Sequence, residues 1–252
     1  MKTDREAPVG VFDSGVGGLT VAREIMRNLP SEKIVYFGDT ARVPYGNRSR
    51  ETVIRYSHQI CRFLQEQQVK AIVVACNTAS AFALDAIRDD FDIPIIGVIE
   101  AGAKVAAART RNKRVGIIGT VGTVGSGIHA EYLRKLDPEI TVFGKACPLF
   151  VPLVEEGWLH DPVTTEVAAR YLKELQDKKV DTLILGCTHY PLLRSTIREI
   201  MGEDVCLVNP AYETALELGR LLKEKELSGT GTVQADFPYR FYVSDLADEF
   251  KA

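Results

Sequence analysis

The clearest pattern in the chain is a short apolar run that occurs twice and ends each time in a cysteine. Residues 71–75 precede Cys76, and residues 182–186 precede Cys187. A continuous apolar run of this length is typical of a strand buried on both faces, as in a parallel sheet. A helical pattern follows each run. Each cysteine is therefore predicted at the carboxyl end of a strand, where open α/β sheets bind their ligands.

Strand and helix patterns alternate along the rest of the chain, which predicts an α/β fold. A glycine-rich turn, 13–18, follows the first strand, and a turn with proline and glycine, 43–46, follows the second. Further strands are predicted at 9–12, 34–37, 93–97 and 239–243. Helices are predicted at 19–29, 50–67, 101–108, 164–178 and 213–226. A further helix, after the Cys76 strand, is predicted to run through Ala86, and a loop is predicted at 227–237.

The second half of the chain restarts the order of the first. Residues 114–120 resemble residues 8–14, and residues 142–152 correspond loosely to the second strand and its Pro-Tyr-Gly loop. The two cysteines are 111 positions apart, and the two opening strands are 106 positions apart. Similar offsets at two landmarks predict a duplicated α/β unit of about half the chain. The alternative is chance similarity between parallel strands.

Composition and charge narrow the classes of partner. The 252 residues are 46% hydrophobic and 26% charged, and the net charge is −3, which argues against nucleic acid or an anionic membrane surface as a partner. No apolar run approaches the roughly 20 residues of a membrane span, and the charged N-terminus leads straight into a strand, so we expect no signal peptide. Five cysteines without C-x-x-C spacing are expected to be reduced thiols in the cytoplasm rather than disulfides or zinc ligands.

Spacing argues against three familiar kinds of site. The turn 13–18 lacks the Gly-Lys-Ser/Thr of a P-loop, and the Gly-x-Gly-x-x-Ala of residues 125–130 lies some way past its strand, which disfavours nucleotide binding. The four histidines are scattered, without the spacing of a metal site. Cys187 and His189 are two residues apart, which does not guarantee the thiol–imidazole contact of a catalytic triad.

A pair of matched thiols is suited to proton transfer. A thiolate is a workable base, and a thiol opposite it is a workable acid, so the two together could invert one carbon. Each cysteine is predicted to precede a helix N-terminus, where the dipole favours thiolate. Asp13 and Ser14 are predicted at the same sheet edge, with glycines that leave room for a ligand. The alternative is that both cysteines are merely buried in the core.

Motifs along essentially the whole chain resemble those of the glutamate racemases, in the aspartate/glutamate racemase superfamily. The matching segments are 12–18, 38–39, 44–46, 75–78, Glu155 within 153–157, and 186–191. The resemblance implies an isomerase that interconverts L- and D-glutamate without a cofactor or metal. It also implies two α/β domains with the active site in the cleft between them. The first would comprise residues 1–97 plus 209–252, and the second residues 98–208.

The resemblance further implies a role for each matching residue. Cys76 would take the α-proton of D-glutamate and Cys187 that of L-glutamate. Asp13 and His189 would assist them, with Asp39 and Glu155 as further polar supports. The implied substrate-binding positions are Asp13, Ser14, Pro44, Tyr45, Gly46, Cys76, Asn77, Thr78, Cys187, Thr188 and His189.

Simpler interpretations of the same residues remain open. Asp13 and Asp39 could be turn caps, Glu155 a solvated charge and His189 a helix cap. The other cysteines, Cys61, Cys147 and Cys206, are taken as core or surface thiols.

The expected partner is a small molecule, glutamate, and the expected product D-glutamate is used for peptidoglycan. Apolar residues on helical surfaces lead us to expect a homodimer. A racemase for another amino acid such as aspartate is an alternative, since one methylene is worth roughly 1–3 kcal/mol in a pocket. A ligand-binding module without turnover is a second alternative.

Overall fold

The computed structural model describes residues 4–231 and 238–245, and the chain divides into two compact units. The first comprises Met1–Val98 and Ala211–Ala252, and the second comprises Ile99–Pro210. Both ends of the chain thus belong to the first unit. Each unit has its own parallel sheet, and the elements are numbered in chain order through both.

The first unit is built on a five-stranded parallel sheet. Its strands are β1 (Val9–Asp13), β2 (Ile34–Gly38), β3 (Ala71–Val74), β4 (Ile95–Gly97) and β9 (Tyr239–Val243). Their order is β4-β3-β1-β2-β9, with all neighbours parallel. The central strands β1 and β3 are buried at every residue, which explains their continuous apolar sequences.

Helices cover this sheet with apolar stripes. They are α1 (Leu19–Asn28), α2 (Arg50–Glu66), α3 (Asn77–Phe82), α4 (Leu84–Arg88) and α11 (Pro210–Glu224). Ser49 caps α2 by accepting a hydrogen bond from the Thr52 N–H, and Ile60 and Leu64 belong to the same buried core cluster as Ile72 of β3. The single helix predicted through Ala86 is wrong in one respect. The backbone of Ala83, with φ −112°, leaves helical values and separates α3 from α4.

The second unit repeats the strand order of the first. Its strands are β5 (Arg114–Gly119), β6 (Thr141–Ala146), β7 (Thr182–Gly186) and β8 (Cys206–Val208). Their order, read as β8-β7-β5-β6, matches β4-β3-β1-β2 strand for strand, and all pairs are parallel. Strand β8, which the sequence analysis did not predict, is the counterpart of β4. The predicted fold class of two similar parallel α/β units is confirmed.

Helices lie on both faces of the second sheet, which has a core cluster on each side. They are α5 (Val98–Arg109), α6 (Val121–Gly125), α7 (Ile128–Leu136), α8 (Phe150–Glu155), α9 (Pro162–Asp177) and α10 (Arg194–Met201). Asp161 caps α9 by accepting from the Val163 N–H, with Pro162 at the first helical position. The strand and loop expected within 142–152 are β6 and the turn at 147–149, and the last three residues of the segment already belong to α8.

The described residues place limits on the remaining expectations. The predicted loop 227–237 is irregular over residues 227–231, and residues 232–237 lie outside the described part of the chain. Within that part, no helix has the length and apolar character needed to cross a bilayer. No group of three or more His, Cys, Asp or Glu side chains in residues 4–231 and 238–245 is arranged to hold a metal ion.

One buried histidine makes the stability of the second unit depend on pH. His129 on α7 is 2% exposed, and neither ring nitrogen has a hydrogen-bond partner among the described residues. A Cβ added to Gly186, at the end of β7, would lie 3.6 Å from the His129 Cε1 atom. Burial lowers the pKa of His129 from 6.5 to about 4, because a charged imidazole would lose its hydration there.

This depressed pKa predicts a loss of stability in acid. Between pH 6.5 and 4, His129 is protonated in the unfolded chain but stays neutral in the folded chain. The contribution is therefore complete above pH 6.5, and about 3 kcal/mol is lost by pH 4. Between pH 7 and pH 4, the free energy of unfolding of His129→Phe should fall by about 3 kcal/mol less than that of the wild type. Urea unfolding followed by fluorescence of Trp158, in the same unit, measures this, and equal losses in both proteins would contradict it.

Candidate active site

The first group of candidate residues lies at the topological switch point of the first sheet. Strands β1 and β3 are neighbours, but the chain leaves β1 toward β2 and leaves β3 toward β4 on the opposite side. Ligands bind at the carboxyl ends of such strands in open α/β sheets. Asp13 is the last residue of β1, and Cys76 lies two residues past the end of β3. The sequence pattern placed both residues at this edge.

The glycine-rich turn after β1 is folded around the carboxylate of Asp13. This side chain is fully buried, and its Oδ2 accepts hydrogen bonds from the backbone N–H of Gly15 (3.1 Å) and Gly18 (2.9 Å). A Cβ at Gly18 would lie only 2.4 Å from the Asp13 Cβ. The glycines of this turn were expected to leave space for a ligand. At Gly18, however, that space is filled by the Asp13 side chain. The Tyr36 hydroxyl holds the turn by donating a hydrogen bond to the Gly15 carbonyl at 2.7 Å.

Cys76 occupies the N-cap position of α3. Its Sγ accepts a hydrogen bond from the Ala79 N–H at 3.4 Å and lies 3.7 Å from the Ser14 Oγ. The thiol is 5% exposed. A backbone N–H and the positive end of a helix both favour the thiolate over the thiol. Cys76 thus has the Ala79 N–H and Ser14 beside its sulfur.

Polar side chains follow Cys76 in the first turn of α3. Asn77 and Thr78 are 5% and 2% exposed. The Asn77 Oδ1 has no hydrogen-bond partner among the described residues. A buried amide oxygen is costly to leave unpaired, so a donor such as an amino group of a ligand fits this position.

Asp39 and Tyr45 form a separate cluster after β2. The Tyr45 hydroxyl donates to the Asp39 Oδ2, and the Arg42 Nε lies 2.9 Å and 2.7 Å from the two Asp39 oxygens. Ser244 donates its hydroxyl to the Asp39 Oδ1 at 2.9 Å. Burial, and then the hydrogen bond to Asp39, raise the pKa of Tyr45 far above its usual value, so the phenol stays protonated. Its neighbour Gly46 is buried, and Pro44 is exposed.

Cys187 holds the equivalent place in the second unit, directly after β7. The surroundings differ, because a turn at 187–189 and a 3₁₀ helix, Tyr190–Leu193, precede α10. The expectation that an α-helix begins right behind Cys187 is therefore wrong. His189 is instead the N-cap residue of the 3₁₀ helix, without a side-chain capping bond, and Thr188 is buried beside it.

The histidine and a glutamate form a chain of contacts to Cys187. The Cys187 Sγ lies 3.8 Å from the His189 Nδ1, and the His189 Nε2 lies 3.2 Å from the Glu155 Oε1. Spacing alone could not guarantee the thiol–imidazole contact, and the structure supplies it. In the tautomer that carries its proton on Nε2, directed to the carboxylate, the Nδ1 atom can accept the thiol proton. Glu155 is 42% exposed and His189 is 5% exposed, so the imidazole is largely shielded from water.

The remaining cysteines have surroundings unsuited to acid–base work. Burial raises the pKa of Cys61 and of Cys147 to about 12, so both thiols stay protonated at neutral pH. The Cys147 carbonyl accepts a hydrogen bond from the Tyr190 hydroxyl at 2.9 Å, which supports the turn behind Cys187. Cys206 is half-buried on β8, and all five cysteines are free thiols. Neither unit thus offers a second thiol matched to Cys76 and Cys187.

Four further residues support the candidate site without having been selected from the sequence. Tyr36 and Arg42 contact the turns described above, and Ser244 reaches Asp39 from 205 positions away along the chain. Thr120 follows β5 as Ser14 follows β1, and caps α6 through the Thr123 N–H. Only Thr120 carried a signal, because the resemblance of residues 114–120 to residues 8–14 places it opposite Ser14.

Comparison with known proteins shows the family to which the chain belongs. The profile of the Asp/Glu/Hydantoin racemase family matches residues 16–216. The chain therefore belongs to the Asp/Glu/Hydantoin racemase family, and racemases are isomerases.

Individual relatives narrow the class. The chain is 52% identical to the glutamate racemase of Geobacter metallireducens, over 96% of this chain and 89% of that protein. It is 49% identical to the glutamate racemase of Neisseria meningitidis serogroup B, over 98% of this chain and 91% of that protein. The chain belongs to the glutamate racemase family.

Solved structures show the same similarity. A glutamate racemase isoform from Bacillus anthracis has a TM-score of 0.94 at 42% identity, covering 98% of this chain and 91% of that one. The enzyme from Francisella tularensis, solved in complex with D-glutamate, has a TM-score of 0.90 at 42% identity, with the same coverage. An aspartate racemase from Picrophilus torridus, at 18% identity and TM-score 0.65, shares the fold.

Proposed function

We propose that the protein interconverts L- and D-glutamate by a two-base mechanism in which each thiol serves one face of the α-carbon. Cys76 removes the α-proton of D-glutamate, and Cys187 removes that of L-glutamate. The observation that carries the proposal is the equivalent placement of the two thiols, each within two residues of the end of the third strand of its own sheet in chain order. The two domains of the resemblance, residues 1–97 plus 209–252 and residues 98–208, would each contribute one thiol.

The proton transfers follow from the surroundings of each sulfur. Starting from D-glutamate, the Cys76 thiolate takes the α-proton, and the electron pair of the broken C–H bond stays on the α-carbon. The Cys187 thiol then delivers its proton to the opposite face. The reverse reaction exchanges the two roles. The Ala79 N–H supports the Cys76 thiolate, and His189 with Glu155 supports the Cys187 thiolate.

Polar positions around the thiols are proposed to hold the substrate. Asn77, Thr78 and Thr188 would bind its amino and α-carboxylate groups, because all three are buried next to a candidate thiol, and the Asn77 Oδ1 in particular needs a donor. Ser14 and the segment 44–46 would bind the rest of the substrate. The Francisella relative crystallised with D-glutamate, and a Thermus thermophilus relative, 45% identical, with β-chloro-D-alanine, which supports amino acids as ligands.

The biological setting of the proposal is the supply of D-glutamate for peptidoglycan. We propose that the reaction uses no cofactor, since thiols alone perform each proton transfer. Five free thiols favour a reducing cytoplasm. Exposed apolar side chains of the second unit, Leu149, Trp158 and Val163, favour a homodimer, which light scattering after gel filtration would measure.

The contacts of His189 predict an effect on one half of the reaction. Replacing His189 by Asn removes the imidazole that receives the Cys187 proton, and should lower kcat/KM by about 10²-fold. Glu155→Gln keeps the contact and removes the charge, and should cost about tenfold, because Glu155 is partly solvated. Both directions must fall equally in kcat/KM, since the enantiomers have equal free energies.

Proton abstraction from each enantiomer can be measured separately with an analogue that undergoes irreversible elimination. With chloride at the β-carbon, removal of the α-proton forms a Cα–Cβ double bond and expels chloride. His189→Asn should slow chloride release from the L-analogue and leave release from the D-analogue within about twofold. Equal slowing of both would show that His189 does not act through Cys187.

The proposed function itself is tested by circular dichroism of glutamate. Purified protein, dialysed against a chelator and a carbonyl reagent, should take L- or D-glutamate to the same zero signal without added cofactor. L-aspartate serves as the comparison substrate. Absence of turnover would contradict the function, and faster turnover of aspartate would assign the alternative substrate. Dependence on pyridoxal phosphate or zinc would contradict the cofactor-free mechanism.

A further inference from the structure

The end of strand β9 joins the loop that follows β2. Ser244 comes directly after β9, and its N–H donates to the Gly38 carbonyl at 3.1 Å. The Ser244 Oγ accepts a hydrogen bond from the Ala41 N–H and donates one to the Asp39 Oδ1, both at 2.9 Å. A single hydroxyl therefore bridges the loop backbone and a buried carboxylate. The residues concerned all belong to the first unit.

A second tie lies next to the first. The Thr40 hydroxyl donates to the Asp245 carbonyl, and the Asp245 N–H donates back to the Thr40 Oγ1 at 3.0 Å. These reciprocal bonds continue the parallel pairing of β2 with β9 by two residues past Gly38. The path of residues 39–41 is thus set by the end of β9 as well as by β2.

Asp39 transmits this constraint to Tyr45. The carboxylate is fully buried and receives the Tyr45 hydroxyl, while the Asp39 N–H donates to the Asp13 carbonyl at 3.0 Å. Hydrogen bonds to a buried charged group are among the stronger ones, and losing one partner leaves charge poorly compensated. Ser244 differs from Arg42 and Tyr45, because it approaches Asp39 from outside the loop that these residues share.

Tyr45 is anchored through its phenol. The side chain is 1% exposed, and its ring packs 5.8 Å from that of Tyr56, over which Arg42 lies at 4.2 Å. The Tyr45 hydroxyl donates its hydrogen bond to Asp39. Because the phenol is held at this end, it orients the backbone of residues 44–46. This is the segment to which the proposed function assigns substrate contacts.

We propose that Ser244 is a positioning residue for the substrate-binding segment 44–46, acting through Asp39 and Tyr45, and that it sets the affinity for glutamate. The inference rests on the proposed function for the identity of the substrate. Ser244 touches neither thiol in this account, so its loss should weaken binding and spare the proton transfers. The expected signature is a change in KM with little change in kcat.

Three variants test this on the full-length protein. Ser244→Ala removes the bridging hydroxyl and should raise KM for both enantiomers by about tenfold, with kcat within about threefold of the wild type. Ser244→Thr restores a hydroxyl and should return KM to within about twofold of the wild type. Tyr242→Phe is the matched control, because it removes a hydroxyl from β9, two residues before Ser244. The partner of that hydroxyl is the Gln67 side chain, 3.3 Å away. That variant should behave as the wild type.

Hydrogen exchange provides a readout that does not depend on substrate. In Ser244→Ala the amides of residues 39–48 should exchange faster than in the wild type, and in Tyr242→Phe they should not. An unchanged KM together with unchanged exchange in Ser244→Ala would overturn the inference while the wild type still racemises glutamate. Equal effects of Ser244→Ala and Tyr242→Phe would also overturn the inference, because they would reflect a general weakening of β9 rather than the loss of the Ser244 hydroxyl. A wild type inactive on glutamate would instead contradict the proposed function, and the exchange data would still decide whether Ser244 holds the loop.

Discussion

Serine in place of either Cys76 or Cys187 should lower kcat/KM for glutamate racemisation by about 10⁴-fold or more. The hydroxyl keeps a donor and a similar shape, but it is a far weaker acid than a thiol and does not supply an accessible anion. A general acid or base commonly contributes about 10²–10⁴-fold, and each variant loses the base for one face and the acid for the reverse reaction. Both directions fall together, because the enantiomers are equal in free energy.

The matched control for these variants is Cys206→Ser. Cys206 is a half-buried thiol on β8, outside both candidate groups, and its replacement should leave kcat/KM within about twofold of the wild type. Racemisation of glutamate is followed by circular dichroism in all three variants. Wild-type activity in either Cys76→Ser or Cys187→Ser would contradict the assignment of that thiol.

The second large effect is expected for Asp13→Asn. The amide oxygen can still accept from the N–H groups of Gly15 and Gly18, so the turn after β1 should keep its shape. The negative charge beside the Cys76 strand end is lost. We expect kcat to fall by about 10²-fold or more with KM changed by less than about threefold, as when a transition-state interaction is removed.

Asp13→Asn is compared with Tyr36→Phe, which removes the hydroxyl that holds the Gly15 carbonyl. Loss of that hydrogen bond should reduce the melting temperature more than kcat, whereas Asp13→Asn should do the reverse. A rise in KM alone for Asp13→Asn would make Asp13 a binding residue. Similar behaviour of both variants would indicate that Asp13 only maintains the turn.

The sequence was informative where the chemistry follows a strand. Periodicity located the buried strands. The duplicated α/β unit accounts both for the matching of β1–β4 with β5–β8 and for the repeated apolar run before each cysteine. Because carboxyl ends of parallel strands share one edge, Asp13 could be placed near Cys76 without coordinates. The roles proposed for these residues come from the family resemblance, because residue spacing leaves them open.

The parts that could not be predicted depend on tertiary contacts. Ser244 reaches Asp39 only because β9 pairs with β2, and no local pattern links positions 205 residues apart. The contact of Cys187 with His189 depends on a turn where an α-helix was expected. The break at Ala83 is a backbone deviation that apolar spacing does not register.

The most direct test of the two-base account measures chloride release from both enantiomers of a β-chloro analogue of glutamate in both cysteine variants. Elimination needs one proton abstraction, so each thiol is examined alone. Cys187→Ser keeps Cys76 and should release chloride from the D-analogue at a rate near that of the wild type, with release from the L-analogue reduced by about 10²-fold or more. Cys76→Ser should show the opposite preference. Loss of the same enantiomer in both variants would contradict the assignment of one thiol to each face.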